Sequence, residues 1–132
     1  MPSKTLFIVL SSGEHEKLQI AAMTASVAAV SDRPVQVFVS MNAVLAFEKG
    51  KSAAERYQGG EISKIFKEKN VPDALGLFGQ GKALGDLKMW ACSMILDLKE
   101  WTVDNLVDGL FDGPLGLTKF LADAEDGELI AI

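Results

Sequence analysis

The run TLFIVL at residues 5–10 limits the possible folds of this chain more than any other stretch. It has no polar residue after Thr5, and β-branched and aromatic residues favour strands. A strand with one buried face alternates apolar and polar residues, so a continuous apolar run indicates a strand covered on both faces. VQVFV at residues 35–39 and LKMWAC at residues 87–92 predict two further strands. A central parallel sheet between layers of helices covers strands in this way.

The segments between these strands predict helices. Residues 16–30 are rich in alanine, with small apolar residues spaced for one helical face, and Pro34 disfavours helix beyond residue 32. No strand is predicted between Val39 and Leu87. Further helices are predicted at 43–49, 62–69, 73–84, 93–99, 103–108 and from Pro114 through Ala124. Residues 51–60 are predicted to form a partly helical loop. Two more strands are predicted at 110–111 and 129–132.

Strands that alternate with helices imply right-handed crossovers and a parallel sheet. We therefore predict a single domain over residues 1–132: an α/β three-layer sandwich with about five parallel strands in the flavodoxin-like order 2-1-3-4-5. In that order the first and third strands are neighbours, and their carboxyl ends border one crevice. The residues expected together there are Ser11, Ser12, Gly13, His15, Cys92, Ser93 and Met94.

Composition restricts the kinds of partner. Hydrophobic residues make up 48% of the 132 residues and charged residues 23%, which is typical of a globular protein. The net charge of −5 disfavours nucleic acid and acidic membranes as partners. No stretch approaches the ~20 apolar residues of a spanning helix, and Met1–Lys4 lead into the first strand without a signal peptide. We expect a cytoplasmic protein.

The chain has one cysteine and one histidine. A single cysteine excludes an intrachain disulfide, a CxxC pair and a cysteine-rich zinc site, and a single histidine limits imidazole metal sites. There is no GxGxxG and no GxxxxGK[ST] motif, so a nucleotide cofactor has little support. We expect neither a metal nor a cofactor.

Cys92 is the candidate nucleophile. It ends a predicted strand, and a helix is predicted from Ser93, whose amide and that of Met94 would stabilise the thiolate form. Such a thiolate can attack a sulfane or disulfide sulfur, and the product then awaits a second thiol from another molecule. The alternative is that Cys92 is a small hydrophobic residue packed in a strand.

The loop after the first strand offers weaker candidates. His15 could serve as proton shuttle or thiolate partner for Cys92, or it could be a solvent-facing residue of the first helical turn. Ser11, Ser12 and Gly13 could bind an anion at the helix N-terminus, or they could form an ordinary polar loop.

Nearly the whole chain resembles the DsrE/DsrF-like family of small sulfur-relay proteins. The resemblance lies in TLFIVLSSGEHEKLQIAAMTASVAA, VQVFVS, LKMWACSM, VDNLVDGLFDGPLGLTKFLADA and the predicted terminal strand. The most specific match is Ala91-Cys92-Ser93-Met94. The resemblance implies a five-stranded parallel sheet, homotrimers or hexamers, and a sulfurtransferase-like role in which Cys92 carries sulfane sulfur as a persulfide between donor and acceptor proteins. Some members lack the cysteine and are structural partners. Residues 95–101 lack the methionine-rich turn and the glycine of membrane-linked members, which leaves donor and acceptor open.

Three hypotheses remain from the sequence. The first is a sulfur carrier that uses Cys92. The second is a structural subunit of a DsrE-like assembly in which Cys92 is only packed. The third is a small-molecule-binding module that uses the loop from Ser11 to Gly13.

Overall fold

A computed structural model describes residues 4–132. The expectation that Met1–Lys4 lead into the first strand without a signal peptide therefore falls mostly outside the described residues. The strands are β1 Leu6–Leu10, β2 Val35–Val39, β3 Leu87–Cys92, β4 Gly113–Leu115 and β5 Glu128–Ala131. The helices are α1 His15–Val30, α2 Asn42–Ala46, α3 Ala53–Arg56, α4 Glu61–Lys69, α5 Ala74–Leu84, α6 Ser93–Lys99 and α7 Leu117–Asp123, with 3-10 turns at Val103–Asn105 and Ala124–Asp126.

The five strands form one parallel sheet in the order β4-β3-β2-β1-β5. The predicted class, a single-domain α/β fold with a five-stranded parallel sheet, is confirmed. The predicted strand order 2-1-3-4-5 is wrong, because β2 lies between β1 and β3. Val37 of β2 pairs with Ile8 on one side and with Met89 on the other. Apolar strands that are buried on both faces offer similar edges, so their residues do not reveal which edges pair.

The fourth strand is displaced from its predicted position. Residues 110–111 lie in a turn and loop, and β4 begins at Gly113. Pro114 was expected to open a helix, but it lies within β4. An edge strand tolerates proline because it needs hydrogen-bond donors on one side only. Asp112 fixes the start of β4 on β3, since its backbone N–H donates to Met89 O at 2.8 Å and its carboxylate accepts from Met89 N–H at 2.8 Å.

The two faces of the sheet are covered differently. Alternate residues of β1, β2 and β3 point to a face on which α1 packs through alanines and runs along α5. The opposite face carries Phe7 and Phe38 and is covered by α7, whose Phe120 ring lies 5.4 Å from the Phe7 ring and 5.2 Å from the Phe38 ring. Ala124 of the following 3-10 turn belongs to the same cluster, and Ile95 of α6 packs against it.

Within residues 4–132, no helix combines the length and apolar character needed to cross a membrane.

Candidate functional site

Cys92 is the last residue of β3 and the N-cap residue of α6. Its thiol is free, and the residue is only 5% exposed. It belongs to the small apolar cluster under α7 that includes Phe7, Phe38, Phe120 and Ala124. Cys92 therefore points to the sheet face that α7 covers.

The residues that follow Cys92 lie closer to solvent. Ser93 is partly buried, and Met94 is 51% exposed. Met41, which follows the carboxyl end of the neighbouring strand β2, is 49% exposed. The carboxyl edge of β2 and β3 thus presents accessible thioethers beside a buried thiol.

The predicted crevice that joined the loop after β1 to Cys92 is wrong. Because β2 intervenes, the ends of β1 and β3 are two strand spacings apart, about 10 Å. Ser11 instead lies beside the end of β5, the other neighbour of β1, where its backbone N–H donates to Ile132 O at 2.9 Å. Ser11, Ser12, Gly13 and His15 are therefore not grouped with Cys92, Ser93 and Met94.

The loop after β1 contributes to a separate concavity, here called the polar pocket, of about 430 Å³. Its lining includes Ser12 and Gly13 from the loop after β1, Asn42 from the start of α2, and Lys51 and Arg56. Gly13 is needed here, since a Cβ at this position would lie 2.8 Å from Asn42 O. The polar pocket lies at the carboxyl ends of parallel strands, where α/β proteins often bind ligands.

Many polar groups of this pocket already have partners in the protein. Ser12 Oγ accepts from Glu14 N–H at 3.1 Å, and the backbone N–H of His15 donates to Gln58 O at 3.0 Å. The guanidinium of Arg56 donates to the carbonyls of Ala46, Glu48 and Lys51. These groups stabilise the local loops, and anion binding by Ser11, Ser12 and Gly13 stays a prediction.

A second cluster surrounds His15, which is 4% exposed, so its predicted alternative as a solvent-facing residue is wrong. The ring stacks on Tyr57 with centroids 4.5 Å apart, and Phe66 approaches edge-on at 5.3 Å. His15 Nδ1 lies 2.7 Å from Ser63 Oγ, and one of the two groups donates to the other according to the tautomer. Burial lowers the pKa of His15, and the charge of Lys67 lowers this pKa further, so the neutral imidazole is favoured.

Glu16 connects this cluster to the start of α4. Its Oε2 accepts from Gly60 N–H at 2.8 Å and from Ser63 N–H at 3.0 Å. Gly60, the N-cap residue of α4, has no side chain to cap the helix, so the carboxylate of Glu16 serves instead. Hydrogen bonds from backbone N–H groups, its own and that of Ser63, lower the pKa of Glu16.

Tyr57 is buried behind His15. Its hydroxyl accepts from Leu75 N–H at 3.1 Å. Burial raises the pKa of Tyr57 far above its usual value, and a hydrogen bond to the Asp73 carboxylate adds to this shift, so the phenol stays neutral. Tyr57 and Ser63 were not predicted as site residues. Tyr57 lies in a segment without strong periodicity, Ser63 lies in the helix predicted at 62–69, and both reach His15 only through the tertiary fold.

His15 and Tyr57 line a pocket of about 400 Å³, here called the His15 pocket. The remaining lining residues are Ala53, Ala54, Phe66, Lys67, Asn70, Val71, Pro72 and Asp73. Among residues 4–132, no group of three or more His, Cys, Asp or Glu side chains could hold a metal ion.

The chain has an α/β fold with a five-stranded parallel sheet between helices, in the strand order β4-β3-β2-β1-β5. The structure is similar to the crystal structure of the YchN protein from E. coli, with a TM-score of 0.62. The match covers 98% of this chain and 99% of YchN at 13% sequence identity. Such low identity supports the DsrE-like resemblance at the level of the fold. No protein-family model and no curated protein matches the sequence.

Proposed function

We propose that this chain is a DsrE-like sulfur carrier that holds sulfane sulfur as a persulfide on Cys92 and passes it to a thiol of a partner protein. One observation carries the proposal: the single thiol of the chain terminates β3, at the carboxyl edge of a parallel sheet with a DsrE-like fold. Ligands and reacting groups of open α/β sheets lie at this edge.

The chemistry needs two thiol exchanges and no net oxidation. The Cys92 thiolate attacks the outer sulfur of a donor persulfide, a new S–S bond forms, and the donor leaves as a thiolate. An acceptor thiolate then attacks the outer sulfur of the Cys92 persulfide and regenerates the Cys92 thiolate. Since the chain has one cysteine, donor and acceptor thiols both come from other molecules.

Burial sets a condition on this function. At 5% exposure, Cys92 can react only when its cover opens, and the cover on its sheet face is the seven-residue helix α7. A closed apolar cover would also shield a bound persulfide from water and small reductants. We expect the donor or acceptor protein to displace part of α7. Assembly into homotrimers or hexamers stays a prediction.

Mass spectrometry tests the proposal directly. The folded protein is incubated with polysulfide, or with thiosulfate and a sulfurtransferase, and is expected to gain the mass of one sulfur atom on Cys92. The gain should disappear in Cys92→Ser and on addition of a thiol acceptor. If the urea-unfolded chain gains sulfur but the folded chain with a sulfurtransferase does not, Cys92 is not a carrier.

The burial of Cys92 favours a second candidate, a structural subunit of a DsrE-like assembly in which the thiol is only packed. This function predicts that Cys92→Ala loses about 1 kcal/mol of stability and keeps its association state. Sedimentation and denaturant unfolding of Cys92→Ala and Cys92→Ser, measured beside the persulfide assay, separate the two functions.

The polar pocket favours the third candidate, a small-molecule-binding module that uses the loop from Ser11 to Gly13. A ligand that binds there would raise the unfolding temperature by mass action. The shift should disappear in Gly13→Val, whose side chain would meet Asn42.

A further inference from the structure

The His15 pocket is separate from Cys92 and from the polar pocket, and no function discussed above uses it. Its lining comes from α1, α3, α4 and the segment that leads into α5. The volume of about 400 Å³ lies within the range of small-molecule sites. It therefore has room for a compact organic ligand.

The walls and base of this pocket are mainly apolar and are held in place. Phe66, Val71, Ala53 and Ala54 supply carbon surface. The backbone of Pro72 is held in place, because Nε2 of the buried Gln19 donates to Pro72 O at 3.0 Å. Such walls suit a flat hydrocarbon or aromatic body, which gains free energy when its surface leaves water.

Some polar groups of the pocket already have hydrogen-bond or ion-pair partners within the protein, and others do not. Asp73 is occupied, since Oδ2 accepts from Gly76 N–H at 3.0 Å and caps α5. His15 Nδ1 is occupied by Ser63, which leaves Nε2 for a ligand. The ammonium of Lys67 makes no ion pair or hydrogen bond within the described part of the chain. Of the two charged side chains in the lining, Lys67 and Asp73, Lys67 is therefore the one without a partner in the described residues.

We propose that the His15 pocket binds a small aromatic carboxylate, with the ring against Phe66 and Val71 and the carboxylate between Lys67 and Nε2 of His15. Lys67 attracts the anion from the exposed rim of the pocket, and His15 contributes one directed hydrogen bond from a rigid position. The buried Tyr57 ring stacked on His15 keeps the imidazole in this orientation.

Naphthoate is a suitable probe, with naphthamide as a neutral molecule of the same shape and acetate as an anion without the ring. Titrations followed by NMR of the full chain should show saturable binding of naphthoate, weaker binding of naphthamide, and none of acetate. Lys67→Gln should reduce naphthoate affinity by about three- to fivefold, the effect of one exposed ion pair. Lys64→Gln is the matched control, because it removes the same charge one turn earlier on α4, outside the pocket.

The change in the pKa of His15 when a ligand binds gives an independent test of the proposal. The charged groups that face it are Lys67, Glu16 and Asp73, and its ring also contacts the uncharged Ser63, Tyr57 and Phe66. A carboxylate beside Nε2 favours the imidazolium, so saturating naphthoate should raise the pKa of His15, and naphthamide should not. The proposal is overturned if naphthoate does not bind, if naphthamide binds equally well, or if Lys67→Gln and Lys64→Gln have equal effects.

Discussion

His15 Nδ1 and Ser63 Oγ lie 2.7 Å apart and join the first turn of α1 to the first turn of α4, although 48 positions separate the two residues in sequence. Both residues are buried, His15 beside Tyr57 and Ser63 at 1% exposure. A buried hydrogen bond of this kind fixes the orientation of the imidazole and attaches α4 to the domain.

Replacing Ser63 with alanine should therefore destabilise the protein. The change leaves Nδ1 of His15 buried without a partner, which costs about 1–3 kcal/mol. Urea unfolding measures the loss. Ser31→Ala is the control, because Ser31 is exposed and its side chain makes no hydrogen bond within the described residues. Equal stability of the two variants would contradict the structural role of the pair.

The stability of the protein should depend on pH through His15. Its pKa is lower in the folded state than the unfolded value of 6.5, so the unfolded chain binds more protons between these two values. Stability is therefore highest above pH 6.5 and falls as pH drops from 6.5 through the folded pKa. The urea midpoint measured across this range should slope downward toward acid. His15→Gln should remove that slope, and a slope that persists would contradict the assignment, since the chain has no other histidine.

Glu16→Gln should destabilise α4 at neutral pH by weakening its N-terminal cap, and this difference from the parent protein should disappear at a lower pH than the one at which His15 titrates. The folded pKa of Glu16 is lower than the unfolded value of 4.5, so its contribution is present above 4.5 and is lost as pH falls through the folded pKa. Hydrogen exchange of the amides of Gly60 and Ser63, which donate to Glu16, measures the cap directly. Glu14→Gln, two residues earlier and without a side-chain hydrogen bond in the described chain, should leave those amides unchanged.

Two glycines of the α5 region should respond to alanine in opposite directions. At Gly85 a Cβ would lie 2.6 Å from the carbonyl carbon of Ala29, so Gly85→Ala should push α5 away from α1 and cost about 1–3 kcal/mol. Gly76 is exposed and helical, and a Cβ there would meet only ordinary contacts at 3.6 Å from Asp73. Gly76→Ala should stabilise the protein by about 0.5–1 kcal/mol. Denaturant unfolding measures both, and the same sign for both variants would refute the packing of α1 on α5.

Loosening α7 should expose Cys92. Phe120 is fully buried between α7 and the sheet, so Phe120→Leu should cost about 1 kcal/mol and should increase the rate at which iodoacetamide alkylates Cys92 several-fold. Phe78→Leu on the opposite face makes a comparable change in the core without touching the cluster around Cys92. Mass spectrometry gives both rates. Equal acceleration would mean that Cys92 reacts only through global unfolding.

The sequence alone determined the central strands of the sheet. The apolar runs at residues 5–10 and 35–39 predicted buried strands, and both are found, because continuous burial requires apolar residues at every position. A helix at 73–84 was also predicted, and α5 is found there, with Asp73 Oδ2 accepting from Gly76 N–H at its start. These features depend on residues that are close together in the chain.

Only the tertiary structure decided which elements are neighbours, and therefore which candidate site residues meet. The pairing of β2 between β1 and β3 separates His15 from Cys92, and the packing of α4 on α1 brings Ser63 to His15. The physical reason is that the residues of a strand fix its burial but not its partners, since strand edges present the same backbone groups whatever their side chains.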